Sequence, residues 1–196
     1  MTRLCFGGSF NPIHNGHLLV ARAVAEAGGF DGILLIPSAQ PPHKSGSADL
    51  AAPQERAELC QVVSNADPFF QVDDRELRRS GPSYTIETAN EFIREGWTSV
   101  NWLIGADQLQ ILPKWHLFDQ LLKQVTFWIA QRPGYVIDWD ALPISMRRLR
   151  QNVVTAPLLE ISATDIRQRV RAGRSIRYLV PEVVERRITE RRLYRG

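Results

Sequence analysis

Apolar and polar positions along this chain change period repeatedly. Short, predominantly apolar runs lie at Arg3 to Phe6, Gly32 to Pro37, Phe69 to Val72, Val100 to Ile104, Val125 to Ala130 and Val153 to Ala156. Their length and composition predict strands. Between them, His17 to Ala27, Pro53 to Ser64, Tyr84 to Glu95, a stretch near Leu117 to Leu122 and Met146 to Arg150 predict helices. Ser162 to Ala172 and Pro181 to Tyr194 predict two terminal helices, with Pro181 in a first turn. Strands separated by helices imply right-handed crossovers and an α/β fold: a mainly parallel sheet with helices on both faces. Ligands of such sheets bind outside the carboxyl ends of the strands, so chemistry is expected in the strand-to-helix loops. Ser38 to Ala52, rich in Pro, Ser, Ala and Gly, is expected to be a mobile loop within a single domain, 1–196, because the alternation continues beyond it.

Composition narrows the class. A chain of 196 residues that is 44% apolar is long enough to enclose a covered sheet. No apolar run approaches the ~20 residues that span a bilayer, so no membrane segment is expected. The N-terminal Met1 to Phe6 runs straight into a glycine turn without a secretory pattern, which points to the cytoplasm. Cys5 and Cys60 read as small buried apolar residues rather than as a disulfide or metal pair. Within the formal charge of +3, Arg167 to Gly196 carries ten Arg against three Glu, a balance of +7, which leaves −4 for the rest. This basic end reads as a solvated helix face with interleaved acids more readily than as a nucleic-acid site.

The densest chemical signal follows the first strand, in Gly7-Gly8-Ser9-Phe10-Asn11-Pro12-Ile13-His14-Asn15-Gly16-His17. Gly7 and Gly8 allow close backbone approach, and the amides opening the next helix favour an anion. The segment is neither GxGxxG nor GxxxxGK[ST], which removes sequence support for the ordinary dinucleotide and P-loop readings. His14 and His17 can both turn toward that anion as hydrogen-bond donors, without a metal.

His14-Asn15-Gly16-His17 resembles the HxGH signature of the nucleotidyltransferase superfamily, and Ile161-Ser162-Ala163-Thr164-Asp165-Ile166-Arg167 resembles its ISSTxIR motif. The resemblance covers almost the whole chain and implies a Rossmann-like nucleotidyltransferase fold. It also implies in-line attack of an acceptor phosphate on the α-phosphorus of ATP, with pyrophosphate leaving and no covalent enzyme intermediate. An ionised phosphate needs no general base, so catalysis reduces to positioning and charge stabilisation. By resemblance, the catalytic residues are His14, His17, Lys44 and Arg167, with Ser162, Thr164 and Arg167 on the β- and γ-phosphates. Gly7, Gly8, Ser9, Phe10, Gly16, Gly105, Asp107 and Ile161 complete the implied ATP contacts. Ser162, Thr164 and Asp165 also read as a helix cap, and Lys44 also reads as an exposed lysine. Mg²⁺ is expected with ATP, but no carboxylate cluster suggests a protein cage.

Ser83-Tyr84-Thr85, Gly105-Ala106-Asp107, Lys114-Trp115-His116, Pro41-Pro42-His43-Lys44 and Arg132-Pro133-Gly134 together resemble bacterial nicotinate-nucleotide adenylyltransferase. The resemblance implies nicotinate mononucleotide as acceptor, with Trp115 stacked on its ring and Thr85 with nearby amides on its carboxylate. Ser9, Phe10, Tyr84, His116 and Arg132 complete the implied acceptor contacts, and Asp107 would face the ATP ribose or its metal. A carboxylate only accepts hydrogen bonds, which suits a cluster of donors better than a carboxamide would. Trp115 also reads as an apolar anchor after Pro113, Thr85 as a helix-start residue and Asp107 as a cap. Asn11 stands where this family usually has Asp, and Ala163 where it has a second Ser. Competing readings are equal use of nicotinamide mononucleotide, the shorter pantetheine-phosphate adenylyltransferases, and a nucleotide-binding regulatory protein without turnover.

Overall fold

The computed structural model describes residues 2–42 and 49–195. Six strands form one sheet: β1 (Arg3–Gly8), β2 (Gly32–Pro37), β3 (Phe70–Val72), β4 (Val100–Gly105), β5 (Val125–Gln131) and β6 (Val153–Thr155). Their order is β3-β2-β1-β4-β5-β6. The order reverses between β1 and β4, the switch point of a doubly wound, Rossmann-like sheet. The chain leaves β1 into the His14 segment and β4 into Gly105–Asp107. The helices are α1 (Asn15–Ala27), α2 (Pro53–Ala66), α3 (Thr85–Arg94), α4 (Phe118–Gln124), α5 (Ala163–Arg171) and α6 (Glu182–Glu190).

The chain divides into two compact units built from discontinuous stretches. One comprises the stretch ending at Gly7, Val20–Ile33 and Tyr84–Leu158. Its strands pair in parallel: Leu4 opposite Asn101, Val100 through Gly105 opposite Val125 through Ala130, and Ile129 opposite Val153. Leu103, Phe127 and Ile129 are buried in it, as are Ile86, Ala89 and Phe92 of α3. That helix buries Ile86, Ala89 and Phe92 at three-residue spacing, with Thr88 four residues before Phe92, whereas Ile93 is 41% exposed.

The second unit comprises Gly8–Leu19, Leu34–Ser83 and the stretch from Leu159 onward. Within it α2 packs against α6 and β3. Arg56, Leu59, Cys60 and Val63 form the buried stripe of α2, and Val184 and Ile188 are the buried positions of α6. Cys5 and Cys60 are both buried. Four arginines of the basic end are engaged with acids: Arg187 and Arg191 reach Glu58, while Arg167 and Arg171 reach Asp49.

All six expected strands are present, β2 with the expected bounds. The helices depart in instructive ways. Met146 to Arg150 lies inside a 3-10 stretch, Ile144–Asn152, rather than an α-helix. Two unpredicted 3-10 turns, Ala106–Gln110 and Leu112–Lys114, follow β4. Pro181 is the N-cap of α6, one place before the first turn. That helix ends at Glu190 rather than Tyr194, because Arg192 adopts a left-handed φ of 52° while Leu193 N–H bonds Ile188 O at 3.0 Å. This is the closure usually given to glycine, so no glycine marked the stop. No helix among the described residues is long and apolar enough to cross a membrane.

Candidate active site

His14 immediately precedes α1 and His17 is the third residue of its first turn, which carries no acidic residue to neutralise the positive helix end. Each histidine holds the other through the backbone. His17 N–H donates to His14 Nδ1 and His14 N–H donates to His17 Nδ1, both at 3.3 Å. The two rings stack with centroids 3.6 Å apart and planes 22° from parallel. Since both Nδ1 atoms accept, both ring protons of the neutral pair sit on Nε2. The arrangement therefore presents two Nε2–H donors from a rigid, reciprocally bonded pair. Gly16 gives it room: a Cβ there would stand 3.1 Å from His14 Nδ1, tighter than ordinary contact, and 3.6 Å from Ile161 Cβ. The third position of the first motif thus lies against the first residue of the second. Burial depresses the His14 pKa to about 4, so His14 is neutral at pH 7 until an anion compensates a proton.

Phe10, expected among ligand contacts, is a buried ring standing edge-on to His17 at 5.4 Å. Its φ of 42° lies in the left-handed region, a strained state for a large side chain that persists only where surroundings over-determine it. Asn11 is also buried, and its amide is used in both senses: Nδ2 donates to Asp49 O at 2.8 Å and Oδ1 accepts from Ala51 N–H at 3.1 Å. A carboxylate could accept from Ala51 but would face the Asp49 carbonyl with a second acceptor. This is the physical sense of Asn11 at this position.

The second motif opens α5. Ser162 is its N-cap and accepts from Asp165 N–H at 3.1 Å, leaving the hydroxyl proton to donate elsewhere. Thr164 is exposed, 3.5 Å from Arg167 Nη2. Arg167 is largely buried; its Nη1 donates to Asn11 O at 3.0 Å, and Asp49 stands 3.8 Å from its Nη2. Its buried Nε has no hydrogen-bond partner among the described residues. Thus His14 and His17 are bonded to each other, Gly16 lies against Ile161, and Arg167 is bonded to the backbone of the turn that precedes them. Lys44 lies outside the described residues.

In the other unit, Tyr84 is the N-cap of α3 and Thr85 its first residue, and no side chain caps this helix end. The Tyr84 and His116 rings stack at 4.3 Å and 26°. Trp115 stands edge-on to Phe127 at 6.3 Å, and its Nε1 is buried with no partner among the described residues. Asp107 lies in the first turn of a 3-10 stretch without capping it; its carboxylate accepts from Gln108 Nε2 at 2.9 Å and folds over Gly105, where a Cβ would stand 2.4 Å from Oδ1. Gly7 faces Trp102, whose ring a Cβ would meet at 2.6 Å. Arg132 is exposed in the turn closed by Tyr135 N–H on its carbonyl, and among the described residues its side chain makes no hydrogen bond or ion pair. Tyr84 and His116 are brought together; Arg132 is not joined to them by any bond.

Sequence reasoning missed Arg56, Asp49 and the tie of Asn15, whose N–H and Nδ2 bond the Leu179 and Tyr178 carbonyls at 2.9 and 2.7 Å. One of these had a visible signal. Arg56 begins the stripe that continues with Leu59, Cys60 and Val63, so a charge occupies an inward position of an amphipathic helix. Asp49 and Asn15 carry no such periodic mark.

Residues 5–169 match the family model described as cytidylyltransferase-like. A probable nicotinate-nucleotide adenylyltransferase of Salinibacter ruber is 41% identical over 196 residues, all of this chain and 98% of that protein. A probable nicotinate-nucleotide adenylyltransferase of Thermomicrobium roseum is 38% identical, over all of this chain and 92% of that protein. Among solved structures, nicotinic acid mononucleotide adenylyltransferase of Plasmodium falciparum complexed with NaAD superposes with a TM-score of 0.74 at 16% identity, covering 99% of this chain and 98% of that one; this likeness speaks for the fold. With both motifs in place on that fold, the chain belongs to the cytidylyltransferase-like nucleotidyltransferases and, within them, to the nicotinate-nucleotide adenylyltransferase family.

Proposed function

We propose that this enzyme transfers the adenylyl group of ATP to nicotinate mononucleotide, forming nicotinate adenine dinucleotide and pyrophosphate in NAD biosynthesis. An oxygen of the acceptor phosphate attacks the α-phosphorus, the bond from that phosphorus to the α,β-bridging oxygen breaks, and the electron pair leaves on pyrophosphate. The observation that carries this reading is the reciprocal His14–His17 pair, whose stacked rings leave both Nε2–H groups as donors at the start of α1. Such preorganised donors stabilise charge developing on the transferred and leaving phosphates. A bound polyphosphate also favours protonation of the buried His14, which strengthens its hydrogen bond at the moment of transfer. Arg167 and Thr164 supply further donors to the leaving group, and Lys44 is proposed to act on the same phosphates.

The acceptor reading rests on α3 and the residues after β4. An uncapped α3 end with Thr85 in its first turn suits a carboxylate, and Trp115 is proposed as the surface for the pyridine ring. Mg²⁺ is expected to travel with ATP and neutralise phosphate charge. Among the described residues no group of three or more His, Cys, Asp or Glu stands ready to hold a metal, so phosphate oxygens and water would be its main ligands, with Asp107 proposed as a carboxylate that could join them.

The test is a turnover assay with ATP, Mg²⁺ and either nicotinate or nicotinamide mononucleotide, following pyrophosphate and identifying the dinucleotide. A kcat/KM higher for the nicotinate acceptor is expected. Equal use of the two acceptors would remove the carboxylate argument, and no dinucleotide with either would sink the reading.

A further inference from the structure

Arg56 is fully buried, with 0% of its surface exposed, and its guanidinium ends on three backbone carbonyls. Nη1 donates to Ser9 O at 2.6 Å, Nε to Ala51 O at 2.9 Å and Nη2 to Ala39 O at 3.1 Å. Among the described residues no carboxylate pairs with it, and burial lowers its pKa. Carrying an uncompensated charge inside a fold costs several kcal/mol, whereas a leucine at this place in the Leu59, Cys60, Val63 stripe would be buried cheaply. What a leucine could not do is serve three carbonyls from three stretches: the turn after β1, the chain leaving β2 and the chain entering α2. Five donors in one planar fork can.

The Ser9 carbonyl is the consequential one. A peptide unit is planar and trans, so its C=O and N–H point in opposite directions. Drawing the Ser9 carbonyl inward onto Arg56 aims the Phe10 N–H the other way. Phe10 is the residue held at a φ of 42°, and the next carbonyl but one, Asn11 O, ends on Arg167 Nη1. Carbonyls 9 and 11 of this turn are thus each fastened by a guanidinium, on either side of a strained residue that leads directly to His14. The two fasteners differ in availability. Arg167 is proposed above to engage phosphate, whereas Arg56, fully buried and bonded to three carbonyls, is held away from any ligand.

We propose that Arg56 is a positioning residue for adenylyl transfer: its buried guanidinium fixes the backbone of the Ser9–Asn11 turn, and through it the placement of ATP phosphates. The proposal rests on the adenylyl-transfer reading, and binding measurements separate the two. Arg56→Lys and Arg56→Gln are compared with the parent protein by thermal melting, by binding of the non-hydrolysable α,β-methylene analogue of ATP, and by steady-state kinetics in both substrates. In a folded variant, analogue binding and kcat/KM for ATP are expected to fall by ~10- to 100-fold, the scale of a small misplacement of reacting groups. The KM for the acceptor is expected to stay within about two-fold, and Lys to retain more function than Gln because it keeps a charged donor. Folded variants with unchanged analogue binding, or with ATP and acceptor weakened alike, overturn the proposal. Failure of both variants to fold would make Arg56 a folding residue and overturn it as well. If the parent lacks turnover, the functional reading fails, and analogue binding alone decides the role of Arg56.

Discussion

The cluster around His14 and the rings around Trp115 are built on different physics. The histidine cluster is tied by directional bonds to backbone: His14 and His17 to each other, Arg167 and Arg56 to carbonyls of the preceding turn, Asn11 to Asp49 and Ala51. Around Trp115 the ties are contacts between rings, Tyr84 on His116 and Trp115 on Phe127. Charge transfer at phosphorus rewards donors whose positions are set before substrate arrives. A planar aromatic acceptor is held by stacking, which tolerates small displacements. The difference teaches that precision is concentrated where charge moves.

The largest effect expected to sharpen this contrast comes from the histidine pair. Replacing His17 by Ala should lower kcat/KM for ATP by ~10²- to 10³-fold, the usual loss of one preorganised donor. Because each ring accepts the other residue's N–H, the double variant with His14→Ala should lose much less than the product of the single losses. Multiplicative losses in that cycle would show two independent donors and break the picture of a unit.

Protonation tests the same cluster without mutation. The folded His14 pKa of about 4 lies below the ordinary value of 6.5, so between these limits the unfolded chain binds the proton that the fold does not. Stability from this residue is complete above pH 6.5 and falls as pH drops toward 4, by roughly 3 kcal/mol in all. NMR titration should place the His14 transition near pH 4 in the free protein and higher with the ATP analogue bound. A free-protein transition at its ordinary value would contradict the burial that defines the pair.

Trp115→Ala addresses the other side of the comparison. Loss of a stacking surface worth ~1–3 kcal/mol predicts a rise of about 5- to 150-fold in acceptor KM with ATP KM little changed. A rise in ATP KM instead would reassign Trp115 to the nucleotide. Smallest is Asn11→Asp, which sets a second acceptor against the Asp49 carbonyl. Thermal or denaturant unfolding should show a loss of about 1–2 kcal/mol, with a modest rise in ATP KM. Unchanged stability would mean the Asn11 bridge is dispensable.

Much of this was legible in the chain. The six strands follow from short apolar runs, and α1 from the period that resumes after His17. His14 and His17 were recognisable because the spacing that identifies them is local, as is the Ser162 cap. Arg56 was legible as an anomaly, a charge in an apolar stripe, but its partners were not. They lie 5, 17 and 47 residues away along the chain. The Arg167 bond to Asn11 spans 156 residues. The stop of α6 escaped reading because Arg192 adopts a conformation that glycine ordinarily advertises.

By itself, then, the sequence determined the alternation of strands and helices, the family motifs and the chemical types available for phosphate and pyridine recognition. These depend on side-chain period and on residues adjacent along the chain. Only the tertiary structure decided that His14 and His17 exchange bonds through Nδ1, that Asn11 uses its amide in both directions, and that Arg56 carries a buried charge to three carbonyls. Those choices depend on which groups compaction brings within about 3 Å, and distant segments come that close only when the fold withdraws them from water and obliges each buried polar atom to find a partner.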